Sequence, residues 1–177
     1  MEIRIATPRT ILKNLLLEDT SALFAYRSLQ IVWEYQGWYP QTLEDAEAFI
    51  RKHSIETKGK VGEWVQLGIY DRENGSLLGD CGYHVMSDTE AEIGYTLAPE
   101  SQGTGYATEI VTALLDYLYT QAHFTNITAS VDPDNAPSIR VLEKTGFHKD
   151  RLSRQSIEIR GEWKDDLIFE HERSYKE

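Results

Sequence analysis

Gly103 and Gly105 stand two positions apart in Gln102-Gly103-Thr104-Gly105-Tyr106-Ala107, after an alternating segment and before an apolar helical one. Without side chains at these positions several backbone amides can converge on one oxyanion, and the dipole of the following helix adds favourable potential. A pyrophosphate suits such a turn, because two linked phosphates share successive donors. The pattern is no dinucleotide fingerprint, since Thr108 holds the third glycine position, and no Walker loop, since no Gly-Lys-Ser/Thr follows. A purely structural turn is equally consistent with Gly-x-Gly alone.

Side chains able to move protons flank this turn. In Glu90–Leu97, alternation sends Ala91, Ile93, Tyr95 and Leu97 to one face and Glu90, Glu92, Gly94 and Thr96 to the other. Glu92 is therefore either a proton acceptor or an acid on a solvated or helix-covered face. Asp80 and His84, which share a parity in the preceding strand, and Glu158 are reserves; a hydrogen-bonded structural role is the alternative for His84. Asn135 is suited to cap a later helix, and Ser138 to bond its first turn. Arg140 and Lys144, four apart, share a helical face. The aromatic stretch 33–39, with Trp33 and Trp38, would flank a substrate or pack on the core. Cys81, the only cysteine, reads as a small buried strand residue. His53, His84, His123, His148 and His171 lack close ligand spacing, so no metal is expected.

Elements must position these groups. The amino-terminal third reads as helical, over residues 17–29 and 42–53, with Thr42 and Asp45 at a helix start. Period two follows at residues 64–70 and Leu77–Val85, joined by an Asn74-Gly75 turn. After the glycine turn a helix runs to about Gln121, with Ile110, Val111, Leu114, Leu115 and Leu118 on one face. A strand at Asn126–Val131, a helix ending near Gly146 and closing strands over 147–157 and 163–173 complete the order. This is a mixed α/β (α+β) sheet, with ordered structure over about residues 9–173 of one domain spanning 1–177.

The chain has 177 residues and a net charge of −11, from 18 basic and 29 acidic side chains. That balance opposes attraction to nucleic acid or anionic lipid and favours a cationic partner. No apolar run is long enough to cross a membrane, and the first residues carry no secretory pattern, so a cytoplasmic protein is expected. Pairing of the closing strands across a homodimer is open.

Gln102-x-x-Gly105-x-Ala107 resembles the coenzyme A signature of the Gcn5-related N-acetyltransferase family. Asn135-x-x-Ser138 followed by Val141-Leu142-Glu143-Lys144-x-Gly146-Phe147 resembles that family's second helix motif. Ala91-Glu92-Ile93-Gly94-Tyr95 looks like the branch containing ribosomal-protein and other amino-terminal acetyltransferases. The resemblance implies a mostly antiparallel sheet splayed between two parallel strands and flanked by about four helices. It implies acetyl-CoA as co-substrate and direct attack by a primary amine of a small molecule or protein amino terminus. The alternative is a coenzyme A-binding module that has lost catalysis.

Carried onto this sequence, the family pattern has amides from Gln102 through Gly103, Thr104, Gly105 and Tyr106 to Ala107 hold the pyrophosphate, and the backbone at Leu97 and Ala98 pair with pantetheine. Asn135 would contact pantetheine, Arg140 and Lys144 the nucleotide phosphates, and Trp33 and Trp38 the acceptor. Glu92 would be the base. Family members often place a tyrosine on the second helix to protonate the departing thiolate; this chain has none between Ser138 and Phe147, so Ser138 inherits that role.

Overall fold

The computed structural model describes residues 3–54, 57–159 and 161–172. The chain opens with strands, not helices: β1 (Arg4–Ala6) pairs antiparallel with β2 (Thr10–Asn14), placing Ile5 opposite Leu12. Polar Thr10 and Asn14 occupy inward positions of β2 and hide its alternation, and the leucines that follow favour a helical reading. The segment expected to be helical over 17–29 divides into a single 3-10 turn at Leu17–Asp19, α1 (Thr20–Arg27) and, beyond a break at Ser28, the one-turn α2 (Gln30–Trp33).

Later elements follow the expected order. Thr42 caps α3 (Leu43–His53) by accepting from the Asp45 amide at 3.2 Å, while Asp45 accepts in return from the Thr42 amide at 3.0 Å. Then come β3 (Trp64–Asp71), β4 (Leu77–Val85), β5 (Glu90–Leu97), α4 (Tyr106–Thr120), β6 (Asn126–Val131), α5 (Ala136–Lys144), β7 (His148–Ile159) and β8 (Glu162–Glu172). The expected end of the last strand, Arg173, lies outside the described residues.

One eight-stranded sheet runs β1-β2-β3-β4-β5-β6-β8-β7. All neighbours are antiparallel except β5 and β6, which pair from Glu90↔Asn126 to Ile93↔Ala129 and then part. Gly94 to Leu97 and Ser130 to Val131 diverge beyond that register, opening the sheet in its middle. Among the described residues, four helices of eight residues or more flank it: α1, α3, α4 and α5.

The main core lies on one face, where Val65, Leu67, Ile93, Ile127 and Ala129 meet Ile110, Leu114 and Leu118 of α4. Each fully buried branched side chain there contributes roughly 1.5–3 kcal/mol relative to exposure. A smaller cluster on the opposite face joins Leu23, Tyr26, Ala46 and Ile50 of α1 and α3. The sheet is thus covered on both faces.

Candidate active site

The glycine turn is left-handed at two positions, with φ +73° at Gly103 and +85° at Gly105, which residues with a Cβ rarely adopt. The first intrahelical bond of α4 runs from the Glu109 amide to the Gly105 carbonyl at 3.2 Å. The Tyr106, Ala107 and Thr108 amides precede it and have no carbonyl of the helix to bond. Behind the turn sits Arg9, which the sequence reading missed. Its Nη1 donates to the Thr104 carbonyl at 3.0 Å, its Nε to Glu109 at 2.7 Å, and its guanidinium lies 4.2 Å from the Tyr106 ring centroid. Burial pushes the Glu109 carboxyl up, but hydrogen bonds from Thr7 and Arg9 and the Arg9 charge outweigh it and hold it below the usual range.

The turn opens on a cleft of about 520 Å³ between β5, α4 and α5, closed on its far side by α2 and the loop after it. Leu97, Gln102, Gly103, Gly105, Tyr106, Ala107, Asn135, Ser138, Arg140 and Lys144 all line it. Thr104 does not; its carbonyl faces Arg9 and its hydroxyl donates to the Ser101 carbonyl at 3.2 Å. Ala98 is 2% exposed and gives its amide to the Leu78 carbonyl at 2.9 Å, and the Leu97 carbonyl accepts from Gln102 Nε2 at 3.0 Å. These backbone groups at the expected pairing site thus have partners within the chain. Cleft, glycine turn and two cations fit a long thioester carrying phosphates at its outer end.

A second cleft, about 670 Å³, lies on the other face of the sheet under α1 and α3. Trp38, Phe49, Trp64 and Ile157 form apolar walls, with Arg27, Asp45, Lys52, His53 and Gln66 among them. Trp38 stacks on Phe49 at 4.4 Å and Trp64 on His84 at 5.4 Å. Both clefts are lined by Gln36, Tyr95 and Thr96, so they meet where β5 and β6 part.

Tyr95 is the residue at this junction that the sequence reading assigned only to a strand face. Ser138 Oγ donates to Tyr95 Oη at 3.0 Å, and Tyr95 Oη donates to the Ser138 carbonyl at 3.2 Å. Burial pushes the Tyr95 phenol up to about 12, partly opposed by Ser138, so it stays protonated near neutral pH. Asn135 holds the start of α5 by accepting from the Ser138 amide at 3.3 Å. A strand tyrosine thus brings a phenol to the helix that lacks one.

The remaining sequence candidates scatter. Glu92 is half-buried between His84 and Thr128 in register and lines neither cleft; its charge helps raise the Asp166 carboxyl, after burial. Asp80 cannot serve as a free base: it is fully buried and accepts from Arg27 Nε at 3.0 Å, Arg27 Nη2 at 2.5 Å, Gln66 Nε2 at 2.5 Å and the Tyr26 hydroxyl. Glu158 is exposed opposite Trp163 in the β7–β8 hairpin. Trp33 stacks on Tyr39 at 4.8 Å outside both clefts, whereas Trp38 lines the second. Cys81 is fully buried, and burial followed by Asp80 raises its thiol. Among the described residues no cluster of three or more His, Cys, Asp or Glu could hold a metal, and no helix is long and apolar enough to cross a membrane.

His53, expected only not to be a metal ligand, is a titratable group of the second cleft. It ends α3 in the second cleft, its ring 4.9 Å from Phe49. Burial and then Lys52 lower its pKa, opposed by a hydrogen bond with the Trp64 backbone. The imidazole is therefore neutral in the range where amines shed protons.

Comparison with known proteins agrees with this architecture. The chain is 32% identical over 169 residues to the uncharacterized N-acetyltransferase p20 of Bacillus licheniformis, covering 92% of each chain. It is 26% identical to the ribosomal protein uS5-alanine N-acetyltransferase of Escherichia coli, covering 62% of this chain and 58% of that one. A GNAT-family acetyltransferase structure from Bacillus anthracis superposes with a TM-score of 0.86 at 25% identity, covering 96% of this chain and 98% of its own. Mycobacterium smegmatis RimJ in complex with CoA-disulfide shares the fold, with a TM-score of 0.80 at 23% identity over 97% of this chain and 86% of its own. Residues 9–148 match the acetyltransferase (GNAT) domain, and the chain belongs to that family.

Proposed function

We propose that this protein transfers an acetyl group from acetyl-CoA to a primary amine, on a small molecule or a protein amino terminus. The meeting of the two clefts at Gln36, Tyr95 and Thr96 carries this reading, because a thioester entering from one side and an amine from the other come together only there. Retention of a second, apolar cleft argues against a module that only binds coenzyme A.

Bound acetyl-CoA supplies the acyl carbon and a thiol leaving group. Gln102 to Ala107 hold phosphate through backbone amides, with Arg140 and Lys144 contributing charge at the outer end of the cleft. Asn135 keeps Ser138 in place at the head of α5. Tyr95, paired with Ser138, holds the proton that the departing sulfur needs, which extends the role expected of Ser138 alone. His53 takes the proton the amine loses, directly or through one water, in place of Glu92. An amino-terminal amine, with a pKa of about 7.7–8.0, needs only such a weak base.

The test is thiol release from acetyl-CoA with amino-terminal peptides, amino acids and alkylamines as acceptors. Acceptor-dependent release with matching amide product is expected; coenzyme A binding without turnover across the whole panel would leave the binding module as the function.

A further inference from the structure

We infer that the amino group of the Arg27 guanidinium not bonded to Asp80 is a subsite for the carbonyl oxygen beside the acceptor's amine, which makes the acceptor an α-amino carbonyl compound. This rests on the acetyl-transfer reading and names the chemistry its acceptor must carry. Arg27 is 7% exposed at the end of α1, yet it lines the second cleft. Nε and Nη2 are engaged by Asp80, at 3.0 and 2.5 Å. Nη1 takes no part in the bonds to Asp80, and Arg27 lines the cleft, so this amino group is the one left for a ligand there; Tyr26 also bonds the Arg27 side chain.

Position supports the assignment. Asp80 pairs with Thr96 in the β4–β5 register, and Thr96 lines both clefts. Directly opposed strand residues have Cα atoms about 4.5–5.5 Å apart, and Arg27, bonded to Asp80, lines the same cleft as Thr96. In an α-amino carbonyl compound the oxygen is only three bonds from the amine nitrogen, so a carbonyl held by Arg27 keeps the amine close by. The guanidinium cannot drift: Asp80 is also held by Gln66 and Tyr26, and the Trp38 and Phe49 rings lie 5.9 and 5.7 Å from it. Burial works against the Arg27 charge, but Asp80 and then Tyr26 together outweigh it, so the donors persist at any ordinary pH. Because Asp80 neutralises the cation, the subsite offers placed N–H groups rather than net charge. Both a peptide carbonyl and the carboxylate of a free amino acid satisfy it.

The intact enzyme tests this with three acceptors that share one apolar side chain: phenylalaninamide, phenylalanine and 2-phenylethylamine, with rates referred to free amine. Loss of a hydrogen bond to a charged donor should lower kcat/KM for 2-phenylethylamine roughly 10- to 100-fold below the better of the other two. A faster amide marks a peptide terminus as the source of the carbonyl, and a faster acid marks a free amino acid. Equal kcat/KM for all three would overturn the subsite while leaving acetyl transfer standing; no thiol release with any of them or with amino-terminal peptides would overturn both. Arg27→Lys keeps a cation on Asp80 but loses the planar fork, and should slow the carbonyl-bearing acceptors while sparing 2-phenylethylamine. Equal slowing of all three by a folded Arg27→Lys would also overturn the subsite. The acceptor series on the native chain decides the matter if that variant does not fold.

Discussion

The two clefts that meet at Tyr95 and Thr96 are made of different material. The side proposed for the cofactor draws mainly on one run of chain from β5 through the glycine turn to α4, adds α5 and is closed by α2 and the loop after it, and much of its proposed chemistry is backbone N–H. The acceptor side is assembled from α1, α3, β3, β5 and β7, and its chemistry is side chain: Arg27, His53 and aromatic walls. Backbone binding depends on local conformation and tolerates change in the side chains around it, whereas a side-chain cleft alters its preference with each substitution. One half of the site is thus suited to a constant ligand and the other to a variable one.

Breaking the junction should cost most. Tyr95→Phe and Ser138→Ala are each expected to lower kcat about 100-fold, with the KM for acetyl-CoA little changed. The double variant should be no slower than the worse single one, since the two hydroxyls act as a unit. Multiplicative losses in steady-state kinetics would separate their roles. Gly105→Val comes next. The position has room for a Cβ, 3.5 Å from Arg9 Nη2, but its φ of +85° does not suit a branched residue. Strain of about 1–3 kcal/mol should weaken acetyl-CoA binding roughly 5- to 150-fold with acceptor preference intact, as read by calorimetry and an acceptor panel.

A smaller effect belongs to the acceptor side. His53→Gln should slow kcat about tenfold near neutral pH and approach wild type above about pH 9, where an amino-terminal amine is free unaided. The sign follows from the lowered His53 pKa: the neutral base survives to lower pH than an ordinary imidazole, and activity falls as pH drops through that lowered value. The variant should lose this limb of the kcat profile. Glu92→Gln, outside both clefts, should stay within about twofold; a large pH-dependent loss there instead would return the base to β5.

Those differences also govern what the sequence discloses. The glycine turn and the Thr42 and Asn135 caps are carried by residues close together in the chain, so their spacing is readable; the splayed β5–β6 pair, 36 positions apart at Glu90 and Asn126, is implied only by the family resemblance. Arg27 and Asp80 are 53 positions apart, and Tyr95 and Ser138 are 43 apart. Only the folded sheet brings them together, and no local pattern distinguishes Arg27 from any other helix arginine. Parity on β5 puts Tyr95 on one face with Ala91, Ile93 and Leu97, but the opening of the sheet beyond Ile93 lets it line a cleft. Arg9 is hidden for the same reason, since β1 and β2 have to form before it can stand behind a turn 95 residues away.

The most direct measurement is a structure bound to a bisubstrate analogue, with the sulfur of coenzyme A linked to the amine of a short apolar peptide. This account predicts pantetheine between the parted ends of β5 and β6, sulfur within hydrogen-bonding reach of Tyr95 Oη, and the peptide between Trp38, Phe49 and Trp64. A sulfur remote from Tyr95 and Ser138, or a peptide seated outside that cleft, would contradict it.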